Sequence, residues 1–131
     1  MTLLPPGYLP KWLLLVGLTA IGNAGACHLS TASSKKVYIT GGAQVTPLAS
    51  RLFGVWNLTS GALRVVCAYN MSNPALFYIC QMTFATVLLH LLLEIFIYKT
   101  TSLNAPGVLS PILVATTSLT AMSLQHRSYL S

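Results

Sequence analysis

Few side chains in this chain are suited to chemistry. Glu94 is the single acid among 131 residues, and the histidines are His28, His90 and His126. His90 and Glu94 stand four residues apart, so on a helix they share one face. Such a pair can pass a proton, or it can serve as a structural hydrogen bond. A relay needs a second acid to carry the proton onward, and the sequence has none. Paired-carboxylate acid–base work fails for the same reason, and there is no Gly-rich phosphate loop. The histidines are too scattered to read as a metal cluster, so no metal or other cofactor is expected. Cys27, Cys67 and Cys80 lie in apolar stretches without CxxC spacing. They read as small buried apolar residues rather than as disulfides or metal ligands.

Composition says what must surround these residues. Only 6% of the chain is charged and 54% is hydrophobic, with a mean hydropathy of +0.71. Soluble domains carry about 25% charged residues, so a bilayer has to cover much of this surface. The net charge of +6 comes from Lys11, Lys35, Lys36, Arg51, Arg64, Lys99 and Arg127. These are scattered, mostly at the edges of apolar segments. That suits a membrane interface and argues against nucleic acid as a partner.

The elements that position the polar residues follow. Apolar segments cover about 12–29, 52–69, 75–98 and 107–124. Each is long enough for a helix to cross a hydrocarbon core of roughly 30 Å at 1.5 Å per residue. Four strands cannot close a barrel. The expectation is an all-α membrane protein, one domain over 1–131 built as a bundle of four transmembrane helices, with a polar loop at 30–50. The short turn Met71-Ser72-Asn73-Pro74 makes helices two and three an antiparallel hairpin, and Pro74 suits a first helical turn. Lys11, an apolar run and Ala24-Gly25-Ala26 also imitate a secretory signal. The late position of Lys11 and the Gly22-Asn23 break favour a retained helix instead. Lys35, Lys36, Arg51 and Lys99 outnumber Lys11 and Arg127 on the opposite side, which puts loops one and three in the cytosol.

Arg64 is the residue that most needs a partner. It lies about 12 Å inside the second segment, where an Arg costs about 2.5–3.5 kcal/mol before pairing. Counting outward from the turn between Ser72 and Asn73 sets Arg51 level with Glu94, and Arg64 level with Gln81. Both spacings amount to a helical rotation of about 220°, so straight helices permit one of these pairs and not both. Arg51 with Glu94 is expected, because Glu94 is the only acid. Arg64 then points away from helix three, on a small polar stripe with Asn57, Ser60 and Gly61, the kind of face on which membrane helices pack. Thr19 and Asn23 of helix one, Thr116 and Thr117 of helix four, or a carboxylate of another protein are its candidate partners.

Several stretches carry a resemblance: Gly7-Tyr8-Leu9-Pro10-Lys11-Trp12-Leu13-Leu14, Gly22-Asn23, Arg51-Leu52-Phe53-Gly54-Val55-Trp56, Arg64, His90 and Glu94, and Leu119-Thr120-Ala121-Met122. In this order and spacing the chain resembles the ergosterol biosynthesis protein 28 family along nearly its whole length. Leu52 and Leu93 depart from the family pattern, which has hydroxyl residues there. The resemblance implies a non-catalytic, multi-pass scaffold of the endoplasmic reticulum membrane that acts in sterol C-4 demethylation. It would tether the sterol C-4 methyl oxidase, the sterol C-3 dehydrogenase/decarboxylase and the 3-keto sterol reductase. Arg51, Gly54, Trp56, Arg64, His90 and Glu94 are then interaction or structural residues. The alternative is a sterol-binding or sterol-presenting protein, suggested by Phe53, Trp56, Tyr69 and Phe77.

Overall fold

The computed structural model describes residues 7–105 and 107–126. The described residues form helices and connections, with no strand among them. Helix α1 covers Tyr8–Leu29, α2 Ala32–Val37, α3 Pro47–Ala68, α4 Pro74–Phe96 and α5 Leu109–Leu124; a 3₁₀ turn occupies Gly42–Gln44. The starts have local causes. Thr46 caps α3 by accepting from the Ala49 N–H at 3.0 Å, and Pro47 opens the helix, where its missing N–H costs nothing. Asn73 and Pro74 do the same for α4, through the Leu76 N–H at 3.2 Å. Beyond α4, Lys99 takes a left-handed φ of 57° and turns the chain away from the helix axis.

The expected spans therefore shift. α1 and α3 begin earlier than the apolar runs, because Tyr8, Pro10, Pro47 and Ser50 suit helical first turns. The segment 30–50 is not a plain polar loop: it holds α2, the 3₁₀ turn and the first turn of α3. By length and apolarity, α1 and α4 could each cross a membrane, with 22 and 23 residues. α3 is as long, but Arg51, Asn57 and Arg64 lower its hydropathy, and α5 has 16 residues. The exposed faces still carry large apolar side chains, such as Leu15, Leu18, Leu89, Leu92 and Phe96, as a lipid-facing surface requires.

The four long helices run alternately up and down. The tightest pair is α1 with α3. A Cβ on Gly61 would lie 2.6 Å from the Gly17 carbonyl oxygen, and one on Gly17 would lie 2.7 Å from that of Gly61. Small residues thus let the two backbones touch, the usual device of helix pairs without a hydrophobic drive between them. Ser50 stitches the α1–α3 connection down: its hydroxyl lies 2.9 Å from Ser34 Oγ and 2.8 Å from the Cys27 carbonyl. The Gly107 N–H donates to the Lys36 carbonyl at 2.9 Å, docking α2 against the start of α5. Trp12 Nε1 donates to Ser118 Oγ at 2.8 Å and ties α1 to α5. Leu13, Cys67, Phe77, Cys80, Phe84 and Met122 fill the centre. All three cysteines are buried and free, as their apolar settings predicted.

Candidate functional site

Arg64 faces α4, which corrects the expectation that it points away from that helix. Its Nε donates to Thr83 Oγ1 at 3.0 Å, and its guanidinium carbon lies 4.1 Å from the centroid of the Phe84 ring. The side chain is only 6% exposed. Thr83 sits two positions from the depth match at Gln81, and Gln81 itself turns to Ser123 of α5 at 3.4 Å. Thr19 spends its hydroxyl on the Leu15 carbonyl of its own helix, so it does not serve Arg64.

Arg51 and Arg64 do not both face α4, but neither expected pair forms: Arg64 faces α4 and bonds Thr83 rather than Gln81. No ion pair joins Arg51 to Glu94; none forms among the described residues. Glu94 Oε1 accepts from the Thr100 hydroxyl at 2.7 Å. Phe53 and Trp56 hold the face of α3 that looks toward this part of α4. Arg51 is rotated from Phe53 by about 160° and lies exposed. The lone acid is served by a hydroxyl six residues along its own chain, not by the nearest cation in depth.

Gly54 belongs to the α1 contact: a Cβ there would meet His28 Nδ1 at 2.9 Å and the Ala24 carbonyl at 3.0 Å. His28 in turn donates from Nδ1 to that same carbonyl at 2.9 Å.

Trp56, His90 and Glu94 do come together. They line a cavity of about 550 Å³ at the end of the bundle where α2 and the 3₁₀ turn lie. Tyr38, Phe53, Trp56 and His90 make a closed circuit of edge-to-face contacts, with ring centroids 5.1 to 5.8 Å apart. Tyr38 Oη and His90 Nε2 share a 2.6 Å hydrogen bond. His90 and Glu94 share a face but not a bond. Burial pushes the Tyr38 phenol well above its ordinary range, and the Glu94 charge adds to the shift. Of the other aromatic residues, Phe77 is in the core and Tyr69 is exposed at the far end of α3.

A second cavity, of about 500 Å³, runs between the α1–α3 pair and the α4–α5 pair. Arg64, Asn23, Asn57 and Ser60 give it a polar wall, and Trp12 and Phe84 an apolar one. Sequence reasoning singled out neither Tyr38 nor Thr83 nor Thr100. Tyr38 and Thr100 come from connections whose docking no periodicity encodes. Thr83 was within reach, since it is a hydroxyl two residues from the depth match at Gln81. No group of His, Cys, Asp and Glu side chains able to hold a metal occurs among the described residues.

Comparison with known proteins agrees with these motifs. Residues 9–120 match the family model described as Erg28 like protein. The chain is 35% identical to ergosterol biosynthetic protein 28 of Schizosaccharomyces pombe over 99% of its own length and 94% of that protein. It is 33% identical to the Saccharomyces cerevisiae protein of the same name, over 96% and 85% of the two chains. The human ergosterol biosynthetic protein 28 homolog is 36% identical over 87% and 81%. No solved structure matches. The chain belongs to the Erg28-like protein family, whose named members are ergosterol biosynthetic proteins.

Proposed function

We propose that the chain is a non-catalytic, multi-pass scaffold of the endoplasmic reticulum membrane in ergosterol biosynthesis. In this reading α1, α3, α4 and α5 all cross the bilayer. The scaffold tethers the sterol C-4 methyl oxidase, the sterol C-3 dehydrogenase/decarboxylase and the 3-keto sterol reductase. One observation carries it. Arg64, His90 and Glu94 each bond to a neutral side chain, Thr83, Tyr38 and Thr100, and none of the three bonds to another. His90 and Glu94 line one cavity, but each is committed to a neutral structural partner and Arg64 lies apart from them in the other cavity. Holding consecutive enzymes together raises the effective concentration of each intermediate for the next step. The test is affinity purification of the tagged full chain in a mild detergent. Recovery of the three enzymes above an unrelated membrane-protein control is expected, and recovery at the control level would sink the proposal.

A second reading, sterol binding or presentation, is favoured by the cavity against Phe53 and Trp56, whose volume of about 550 Å³ lies within the usual range for ligand sites. Saturable photo-crosslinking of a sterol probe at Trp56, competed by natural sterols, is its signature; labelling that does not saturate removes it.

A further inference from the structure

Arg64 combines three properties that rarely coexist without a ligand. It is 94% shielded from solvent, it carries a full charge, and no carboxylate touches it. Its Nε is bonded to Thr83 and its face is stacked on Phe84. Its Nη groups make no hydrogen bond among the described residues, yet neither of them is sealed off: both retain access to the space around them. Arg64 lines the cavity of about 500 Å³ together with Asn23, Asn57 and Ser60. A buried charge without a counter-charge is strongly destabilising, and stacking on a phenyl ring returns only about 0.5–2 kcal/mol. A guanidinium also presents paired donors that match a carboxylate in bidentate fashion.

The rest of the cavity says what body the carboxylate would have. Trp12, Phe84 and Val114 make its walls apolar. Leu15 and Thr19 of α1 and Ser110 of α5 also line it and are exposed, so it opens sideways between those two helices. A ligand entering there would come through the lipid-facing side of the bundle. Lys36 also lines the cavity, on the α2 side beside Gly107.

We propose that this cavity binds a membrane-soluble monocarboxylate, with the carboxylate on Arg64 and an apolar body along Trp12, Phe84 and Val114. Two sources share that chemistry, a free fatty acid and a sterol bearing a carboxyl group. The choice of the sterol acid rests on the scaffold reading: a methyl oxidase that hands its product to a decarboxylase must pass a carboxylic acid between them. The scaffold would then hold that acid as well as its enzymes.

The test uses the purified full chain in lipid nanodiscs, with radiolabelled oleate and a radiolabelled sterol 4-carboxylic acid, each set against its methyl ester. Saturable binding of at least one acid is expected, with the ester and Arg64→Gln each weaker by at least about tenfold. Arg64→Lys should retain part of the affinity, and Arg51→Gln all of it. Thr19→Trp narrows the mouth without touching Arg64 and should also lose binding, which keeps the test sound if Arg64→Gln fails to fold. Preference for the sterol acid identifies the pathway source, and equal or better binding of oleate identifies fatty acids. Absence of saturable acid binding, or unchanged affinity in folded Arg64→Gln or in Thr19→Trp, overturns the proposal. Because binding is read on the chain alone, it can fail while enzyme recovery succeeds, and the reverse.

Discussion

Arg64 and Thr83 are joined by a 3.0 Å hydrogen bond across the α3–α4 hairpin, and the Thr83 hydroxyl donates in turn to the Cys80 carbonyl at 2.7 Å. Thr83 therefore stays satisfied if Arg64 is removed. Replacing an uncompensated buried charge by an apolar side chain is often neutral or stabilising. Arg64→Leu should fold and melt in detergent at or above the wild-type temperature. Because Arg64 turns inward, enzyme recovery should also survive the change. A fall in the melting temperature of more than a few degrees would mean that the charge is compensated in the folded chain after all.

The glycines divide into two classes with opposite expected signs. Gly61→Ala and Gly17→Ala drive a methyl into the facing carbonyl and should destabilise by about 1–3 kcal/mol, since backbone must move. Gly22 and Gly25 lie in the same helix as Gly17 with nothing within 4 Å of an added Cβ. Gly22→Ala should stabilise by up to about 1 kcal/mol through helix propensity. Thermal unfolding of the variants side by side decides between tight packing and mere sequence preference.

Thr101 Oγ1 is the one buried side-chain oxygen without a partner among the described residues. Thr101→Val keeps the shape and removes the orphan hydroxyl. It should raise stability by about 1 kcal/mol, the lower end of the usual penalty for an unmet buried donor or acceptor. A lower melting temperature would show that the hydroxyl has found a partner.

Tyr38→Phe keeps the ring circuit around His90 and deletes only the 2.6 Å hydrogen bond. A loss of about 0.5–1.5 kcal/mol is expected. His90→Phe, which leaves the Tyr38 hydroxyl unmet, should cost more. If both variants melt like the wild type, the bond contributes nothing to holding α2 on the bundle.

Much of this architecture was readable beforehand because it depends on local signals. The Met71-Ser72-Asn73-Pro74 turn fixed the hairpin, and the apolar runs fixed where the long helices lie. The rotation count between Arg51 and Arg64 correctly allowed one to face α4 and not both. It failed in choosing between them, because charge complementarity was ranked above the packing demand of Phe53 and Trp56. Those rings occupy the side of α3 that Arg51 would have needed. Tyr38 was not readable at all: its place beside His90 depends on α2 docking through Gly107 and Ser50, a long-range event without periodicity. Arg127 lies outside the described residues.

The Gly17–Gly61 contact also dictates an order of assembly. α1 is synthesised before α3, its closest neighbour, and an entire folded connection separates the two. At about 5–20 residues per second, Gly61 leaves the ribosome several seconds after Gly17. For that interval the small-residue face of Gly17, Ala20 and Ala24 has no mate within its own chain. Biogenesis must therefore keep a sticky helix waiting, and bulky substitutions on this face would act first on how many molecules mature and only then on how the mature ones behave.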